Sequence, residues 1–351
     1  MEKRIAETLR PNLGQQVREA ETSLRQQVHA LKGLDVDLAG NRVVFSAEGT
    51  TYLGDLKGTS LPSPIPVRQP ELTYYSPSFS ASSDAIAHVR WSNSNLSTIE
   101  ITSLVGPSVV EVAGLPWPIG RYYAPALCPC GKHLAFAKLP GDYASGTIVA
   151  NAGTGVYVVT LEQGTSRGII IATNVQKITD DDFPVGGDMP YAVALRLYFP
   201  TDSCTYVVVR NQNSVFYIDV AATVRPAFSN FQQPLRADVR YSQSIIATGH
   251  ISEEIMPSPD GRFAGFVERM QVYVAPLDAV GKSSIGAYAR PANATDGLIR
   301  VSDFGGHDVA FSRDGNFMFW LAGGCLCDCS NYVTHHQSSQ DITSIVSSLP
   351  V

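Results

Sequence analysis

The chain has 351 residues, of which 44% are hydrophobic, enough for one large domain or two ordinary domains with buried cores. Its formal net charge is −6 and it has no cluster of Lys and Arg, so nucleic acid is not expected as a partner. No apolar run reaches the roughly 18 residues that a membrane span requires, so no membrane span is expected either.

Residues 1–33 predict a helical segment ahead of the main domain. Residues 1–16 include basic residues but lack the apolar core of a secretory signal, so we expect a cytoplasmic protein, or a secreted one if the N-terminus is incomplete. Apolar residues then recur at helical spacing, at Leu13, Val17, Ala20, Leu24, Val28 and Leu31. Gly33 ends the pattern. We expect an amphipathic helix packed on the main domain, with a partner-binding helix as the alternative.

From residue 34 to residue 351 one β-rich pattern recurs. Segments reading TYLGDL, IEITSL, VYVVTL, VFYIDV and VYVAPL end at residues 56, 104, 161, 220 and 277, which are 48 to 59 residues apart, and a sixth unit ends near residue 330. Most of these segments are preceded by a turn and by another β-rich segment. Recurrence at such a period is typical of proteins built from stacked structural repeats.

The recurring turn is clearest in the stretch MPSPDGRFAGF, residues 256–266. Pro259 presets φ at the first corner, Asp260 can bond its own backbone, and Gly261 tolerates positive φ. A second copy, SRDG, places Asp314 and Gly315 in the same roles. We interpret these five residues as a structural turn motif and not as a chemical site.

The repeat predicts an all-β fold. Three or four short antiparallel strands cannot bury both of their faces alone, whereas radial stacking of such sheets buries them and leaves only short edges. We therefore predict a β-propeller with six blades of three to four antiparallel strands. The alternative is a β-sandwich with coincidental spacing, which usually has turns about every 8–12 residues but no superimposed long period.

Three of the turn segments carry a family likeness. MPSPDGRFAGF, AFSRDGNFMFW and SFSASSDAIAHV resemble the Ser-Pro-Asp-Gly repeat of TolB-like propellers. The fifth and sixth units, joined by GLIRVSDFGGHDVAFSRDG, look similar to propellers fused ahead of metal-dependent amidohydrolase domains. Similar repeats occur in propellers of prolyl-oligopeptidase-type and tricorn-type proteases. The resemblance implies a propeller fold and an amidohydrolase domain as one candidate partner.

The chain departs from that pattern in places that matter for function. Cys130 replaces the turn Asp in the third unit, and no catalytic barrel follows the repeats before Val351. The amidohydrolase metal site would need a His-x-His pair, and the sequence has none. The seven histidines are His29, His88, His133, His250, His307, His335 and His336. The catalytic metal site of that family is therefore absent from this sequence.

The stretch GTSRG, residues 164–168, matches the Gly-x-Ser-x-Gly nucleophile elbow of α/β-hydrolases. That elbow needs a strand before Ser166 and a helix after it. Here the β-branched run that starts at Ile169 predicts a second strand instead. We interpret the match as a turn, and we expect no catalytic residue in this chain.

Two groups of side chains are candidate metal ligands. Cys325, Cys327 and Cys329 alternate along one strand, which places their thiols on the same side, about 7 Å apart; core packing is the favoured interpretation and capture of a soft metal the alternative. Asp180, Asp181 and Asp182 form an acidic loop that could bind a cation. A solvated loop is favoured there, because the fixed ligand spacing of a calcium loop is missing. No metal and no cofactor are expected.

The sequence favours a non-catalytic ligand- or protein-binding propeller, a divergent or truncated relative of the propeller module of amidohydrolase-type proteins. Its ligand, a protein or a small molecule, is expected at one propeller face, where loops on a rigid frame supply affinity. One alternative is a free-standing propeller hydrolase or lyase that uses channel carboxylates and a cation. The other is a gating propeller of a peptidase that lacks its catalytic domain.

Overall fold

The computed structural model describes residues 25–27, 31–58, 60–94, 96–106, 108–116, 120–139, 153–179, 195–211, 214–220, 243–249, 253–277, 284–285, 298–303, 305–322, 325–330, 345–346 and 348–350. Throughout these residues the regular structure is β-strand. Accordingly, no helix in the described part of the chain is long and apolar enough to cross a membrane.

The strands form six four-stranded units in chain order. Unit 1 consists of β2 (Leu31–Val36), β3 (Arg42–Ala47), β4 (Thr50–Asp55) and β5 (Ser63–Pro64). Unit 2 consists of β6 (Thr73–Phe79), β7 (Ala85–Ser92), β8 (Leu96–Ser103) and β9 (Val109–Ala113). Unit 3 consists of β10 (Arg121–Leu127), β11 (His133–Leu139), β12 (Gly155–Gln163) and β13 (Ile169–Lys177).

Unit 4 consists of β14 (Arg196–Tyr198), β15 (Tyr206–Asn211), β16 (Ser214–Asp219) and β17 (Gln243–Gly249). Unit 5 consists of β18 (Glu254–Pro257), β19 (Phe263–Glu268), β20 (Gln271–Pro276) and β22 (Ile299–Arg300), and β21 (Ser284–Ile285) pairs with β17 of unit 4. Unit 6 consists of β23 (His307–Phe311), β24 (Phe317–Ala322), β25 (Cys325–Ser330) and β26 (Ile345–Val346). The two remaining strands, β1 (Arg25–Gln27) and β27 (Ser348–Pro350), pair with each other.

Within each unit consecutive strands pair antiparallel. The segments in which the sequence repeat is read are the third strands, β4, β8, β12, β16, β20 and β25. Units 2 and 3 are also joined at their outer edges, where β9 and β13 pair in parallel and make one eight-stranded sheet.

Buried apolar clusters lie between consecutive units. The five clusters between units 1 and 2, 2 and 3, 3 and 4, 4 and 5, and 5 and 6 each combine side chains from both partners. A further cluster packs Val36 and Phe45 of unit 1 against Phe319 and Leu321 of unit 6. The first and last units therefore contact each other, and the units close into a ring. This radial stacking is what the predicted β-propeller requires.

The end of the predicted N-terminal helical segment is strand in the structure. Residues 25–27 form β1 and Leu31 opens β2, with Leu31, Leu34 and Val36 buried in the unit 1 core. Burial against β3 and unit 6 overrides the helical spacing of this stretch. Most of the other residues of that segment lie outside the described part of the chain.

The recurring turn is held by side-chain hydrogen bonds. In unit 5 the Ser258 hydroxyl donates to Asp260 Oδ1 at 2.5 Å, the Phe263 N–H donates to Ser258 Oγ at 3.0 Å, and Gly261 has a φ of 69°. Unit 6 repeats these features with Ser312, Asp314, Gly315 and Phe317. The Ser and Asp side chains thus supply hydrogen-bond partners for the backbone at the corner between the first and second strands.

Candidate functional site

One residue per unit occupies an equivalent position on the first strand, four residues before the first residue of the turn. These channel positions are Gly33, Ser76, Ala124, Arg196, Glu254 and Asp308. First strands contact each other at the junctions of units 1 and 2, 2 and 3, 3 and 4, 5 and 6, and 6 and 1, so these positions surround the axis of the ring.

Four of the channel positions have a left-handed backbone. The φ angles of Gly33, Ser76, Ala124 and Asp308 are 73°, 52°, 49° and 56°. Each of these residues lies in a β-bulge, where the pairing register with the second strand shifts. For a residue other than glycine this conformation costs roughly 1–2 kcal/mol, and strained bulges of this kind concentrate at functional sites.

The bulges turn backbone N–H groups toward the preceding unit. Glu254 accepts from the N–H of Asp308 at 3.0 Å, and Asp308 accepts from the N–H of Gly33 at 3.1 Å. In the same way the Ser76 hydroxyl oxygen accepts from the N–H of Ala124 at 3.0 Å. At these three junctions a side chain at one channel position therefore satisfies the backbone at the next.

Buried ion pairs cross the same region. Arg196 Nη2 lies 2.9 Å from Asp308 Oδ1, and the Asp308 side chain is fully buried. Arg210, also fully buried, lies 3.6 Å from Glu254 Oε2 and donates to the carbonyl oxygen of Val309 at 3.2 Å. Two guanidinium groups thus balance two carboxylates at the centre of the ring.

His307 joins this network through Asp308. Its Nδ1 lies 3.5 Å from Asp308 Oδ2, and that contact raises the pKa of His307. Burial alone would raise the pKa of Asp308, but the neighbouring His307 ring and Arg196 guanidinium hold it well below its usual range. The Asp308 carboxylate is therefore charged at neutral pH, and it favours the charged form of His307.

A cavity of about 210 Å³ lies along the axis beside these pairs, lined by first-strand residues of all six units. Its walls are largely apolar and aromatic, with Tyr198, Phe199, Tyr217, Met256 and Phe311 among the contributors. We call it the channel cavity. A concave, mostly apolar space with a few convergent polar groups is typical of a small-ligand site.

Arg313 is one of the charged residues that line the channel cavity. Its Nη2 lies 3.8 Å from Asp35 Oδ2, too far for a hydrogen bond, and also donates to the carbonyl oxygen of Phe79. Its Nη1 is buried and has no hydrogen-bond partner among the residues that the structure describes. Asp35 in turn accepts from the Phe79 N–H at 2.7 Å.

Solved structures share this fold. The tricorn protease structure matches with a TM-score of 0.50 and 12% identity over 92% of this chain, which spans 27% of the tricorn chain. The fold is a β-propeller. This result confirms the all-β propeller prediction. No protein-family profile matches the chain, and its sequence has no significant match among curated proteins.

Two further solved propellers are similar at lower scores. A protein assigned as TolB from Agrobacterium tumefaciens matches with a TM-score of 0.47 and 13% identity, over 82% of this chain and 87% of that one. The Cps50 (Swd1) β-propeller domain from Myceliophteria thermophila matches with a TM-score of 0.43 and 10% identity, over 86% and 82%. At such identities the likeness concerns the fold alone.

The structure locates several residues that the sequence analysis singled out. Pro259, Asp260 and Gly261 lie in the unit 5 turn, at the end of a strand that borders the channel cavity. Ser166 lies in the hairpin between β12 and β13, where the Ile169 N–H donates to its carbonyl oxygen at 3.3 Å. A strand follows that hairpin, so the helix that a nucleophile elbow requires is not present there.

Cys325, Cys327 and Cys329 follow one another along β25 of this propeller, beside β24. Cys327 packs in the cluster between units 5 and 6, and burial raises its pKa to about 11. A different set of thiols meets instead. The sulfur atoms of Cys128, Cys130 and Cys204 lie within 4.8 Å of one another, the one such group of three metal-ligand side chains in the described residues.

Asp180, Asp181 and Asp182 lie outside the described part of the chain, so the acidic-loop prediction stays a prediction. The channel residues Arg196, Arg210, Glu254 and Asp308 were not singled out from the sequence. A signal for three of them exists, because Arg196, Glu254 and Asp308 each lie four residues before the start of their turns.

Proposed function

We propose that this chain is a non-catalytic binding propeller, and that its channel cavity holds an apolar group ending in a carboxylate. The observation that carries the proposal is the combination of aromatic walls with the guanidinium of Arg313, whose buried Nη1 has no hydrogen-bond partner among the described residues. A carboxylate accepts from such a group through charge-assisted hydrogen bonds. A free small acid and the C-terminus of a partner protein present the same chemistry.

The charges around the axis favour binding over hydrolysis. Asp308 and Glu254 are each engaged by an arginine and by backbone N–H groups, and Asp35 accepts a backbone N–H. These carboxylates thus have partners already, whereas a hydrolase of the alternative kind needs carboxylates free to hold a cation or a water molecule.

We further propose that the six units are six blades of one ring. An amidohydrolase domain is a candidate partner, on the sequence resemblance of units 5 and 6. The mass of the native product, with peptide mapping past Val351, tests that association. A product of about 38 kDa would contradict it, and a larger product with a His-x-His barrel would support it.

A pair of matched probes tests the carboxylate site. We expect N-acetylphenylalanine to bind the full-length chain more tightly than N-acetylphenylalanine amide in calorimetric titration. The Arg313→Gln variant should lower affinity for the acid by about 10- to 100-fold, the equivalent of about 1.5–3 kcal/mol for a charged hydrogen bond.

Arg262→Gln is the control for that variant, because Arg262 is an exposed arginine of the unit 5 turn and does not border the channel cavity. It should leave the affinity unchanged. Equal affinity of the two probes, or no effect of Arg313→Gln, would refute the proposed ligand chemistry.

A further inference from the structure

The three clustered thiols come from two adjacent units. Cys128 and Cys130 lie in the turn between the first two strands of unit 3, and Cys204 lies in the corresponding connection of unit 4. Cys128 is buried, Cys204 is half-buried and Cys130 is exposed, so the cluster is open to solvent on one side. Cys128 Sγ and Cys130 Sγ are 2.9 Å apart.

The turn itself does not require cysteine. In unit 5 the Ser258-Pro-Asp-Gly sequence makes the same corner with hydroxyl and carboxylate partners. In unit 3, Cys128 takes the place of that serine and accepts the His133 N–H at 3.2 Å, while Cys130 takes the place of Asp260. The geometry of the turn therefore does not explain why two thiols occupy these positions next to a third thiol from unit 4.

Three thiol ligands indicate which kind of metal ion would bind. Thiolates prefer soft cations such as Zn²⁺ and Cu(I) over oxygen-seeking Mg²⁺ and Ca²⁺. With a Zn–S length of about 2.3 Å, sulfur atoms on a tetrahedral ion lie about 3.8 Å apart. The three sulfurs lie within 4.8 Å of one another, and the Cys128–Cys130 pair, at 2.9 Å, has to separate slightly to bind the ion. We propose that Cys128, Cys130 and Cys204 form a Zn²⁺ site that links unit 3 to unit 4.

Because Cys130 is exposed, solvent has access to the cluster and can supply a fourth ligand to the ion. Residues 200–202, just before Cys204, border the channel cavity. Bound Zn²⁺ therefore ties that wall of the cavity to unit 3. The site is independent of the proposed carboxylate chemistry, because it uses none of the same side chains.

Metal titration of the reduced, full-length chain tests the site. We expect one Zn²⁺ per chain by native mass spectrometry and a thiolate-to-metal absorption band with Cd²⁺ as the spectroscopic probe. Cys204→Ser should weaken Zn²⁺ binding by at least about 100-fold, since even changes outside the ligand sphere cost 10- to 100-fold. Bound Zn²⁺ should also raise the melting temperature.

The matched variant is Cys128→Ser/Cys130→Asp, which gives unit 3 the turn residues of unit 5. It should fold as well as the wild type, bind no Zn²⁺, and show no metal-dependent rise in melting temperature. Cys325→Ser, in the separate row of thiols on β25, should bind one Zn²⁺ as the wild type does. The proposal is overturned if the reduced chain binds no stoichiometric Zn²⁺, or if binding survives Cys204→Ser.

Discussion

Replacing Asp308 by Asn is the sharpest perturbation of the channel network. The amide keeps the size of the side chain, can still accept the Gly33 N–H, and tolerates the φ of 56° at this position. The negative charge is lost, and one of the two acceptor oxygens is replaced by an NH₂ donor. Arg196 and His307 then face a neutral group where they now face a carboxylate at 2.9 Å and 3.5 Å.

Removing one partner of a buried ion pair costs about 3–5 kcal/mol, because the other charge stays buried without compensation. We expect that loss in the free energy of unfolding of Asp308→Asn, measured in urea near pH 5.5. Asp314→Asn is the control, since Asp314 lies in the partly exposed turn of the same unit and its amide can keep the contact to the Asn316 N–H. It should cost less than about 1 kcal/mol.

The pH dependence of this loss has a definite sign. Asp308 has a lowered pKa in the folded state, so its stabilisation is present above about pH 3.9 and is lost on acidification. His307 has a raised pKa, so its share is complete below about pH 6.5 and is lost as the pH rises through the folded value. The difference between wild type and variant should therefore be largest between these limits. A cost no greater than that of Asp314→Asn would refute the role of the pair.

Three other substitutions give independent tests. Burial, with a smaller effect of Arg90, lowers the pKa of His88 to about 3. The free energy of unfolding of the wild type should therefore fall by about 1.4 kcal/mol per pH unit below pH 6.5. His88→Gln should lack this pH-dependent loss when urea unfolding is compared at pH 5 and pH 7. Met270→Gly should stabilise the chain by about 1 kcal/mol, because exposed Met270 has a φ of 62° in a tight hairpin, a backbone conformation that glycine adopts without strain. The melting temperature measures this effect, and a lower value than the wild type would contradict it. Gly306→Ala should cost about 1–3 kcal/mol in chemical denaturation, because a Cβ there would lie 2.3 Å from the Trp320 ring, and a neutral result would show that the ring can move.

Much of the architecture is readable in the sequence because the same corner recurs. Gly261 and Gly315 need a left-handed backbone, and the Ser and Asp before them close the turn, so these residue types mark the corner wherever it occurs. The spacing of the corners then indicates stacked sheets. The end of the N-terminal segment was predicted wrongly as helix, because burial of Leu31 in the core favours a strand there despite the helical spacing of its apolar residues.

The candidate sites were harder to predict for a geometric reason. Cys130 and Cys204 meet across the junction of two units, and the repeat in the sequence does not show how the turns of two units approach each other. Likewise, the positions of Arg196 and Asp308 follow from the repeat, but their pairing does not. It depends on which long side chains reach across the axis, which is a property of the assembled ring.

The parallel pairing of residues 111–113 with Ile169–Ile171 bears on how the ring opens. It joins units 2 and 3 by backbone hydrogen bonds at the rim, in addition to the apolar cluster between them. Amide protons of these two units should therefore exchange with solvent through one shared opening event, with one common free energy.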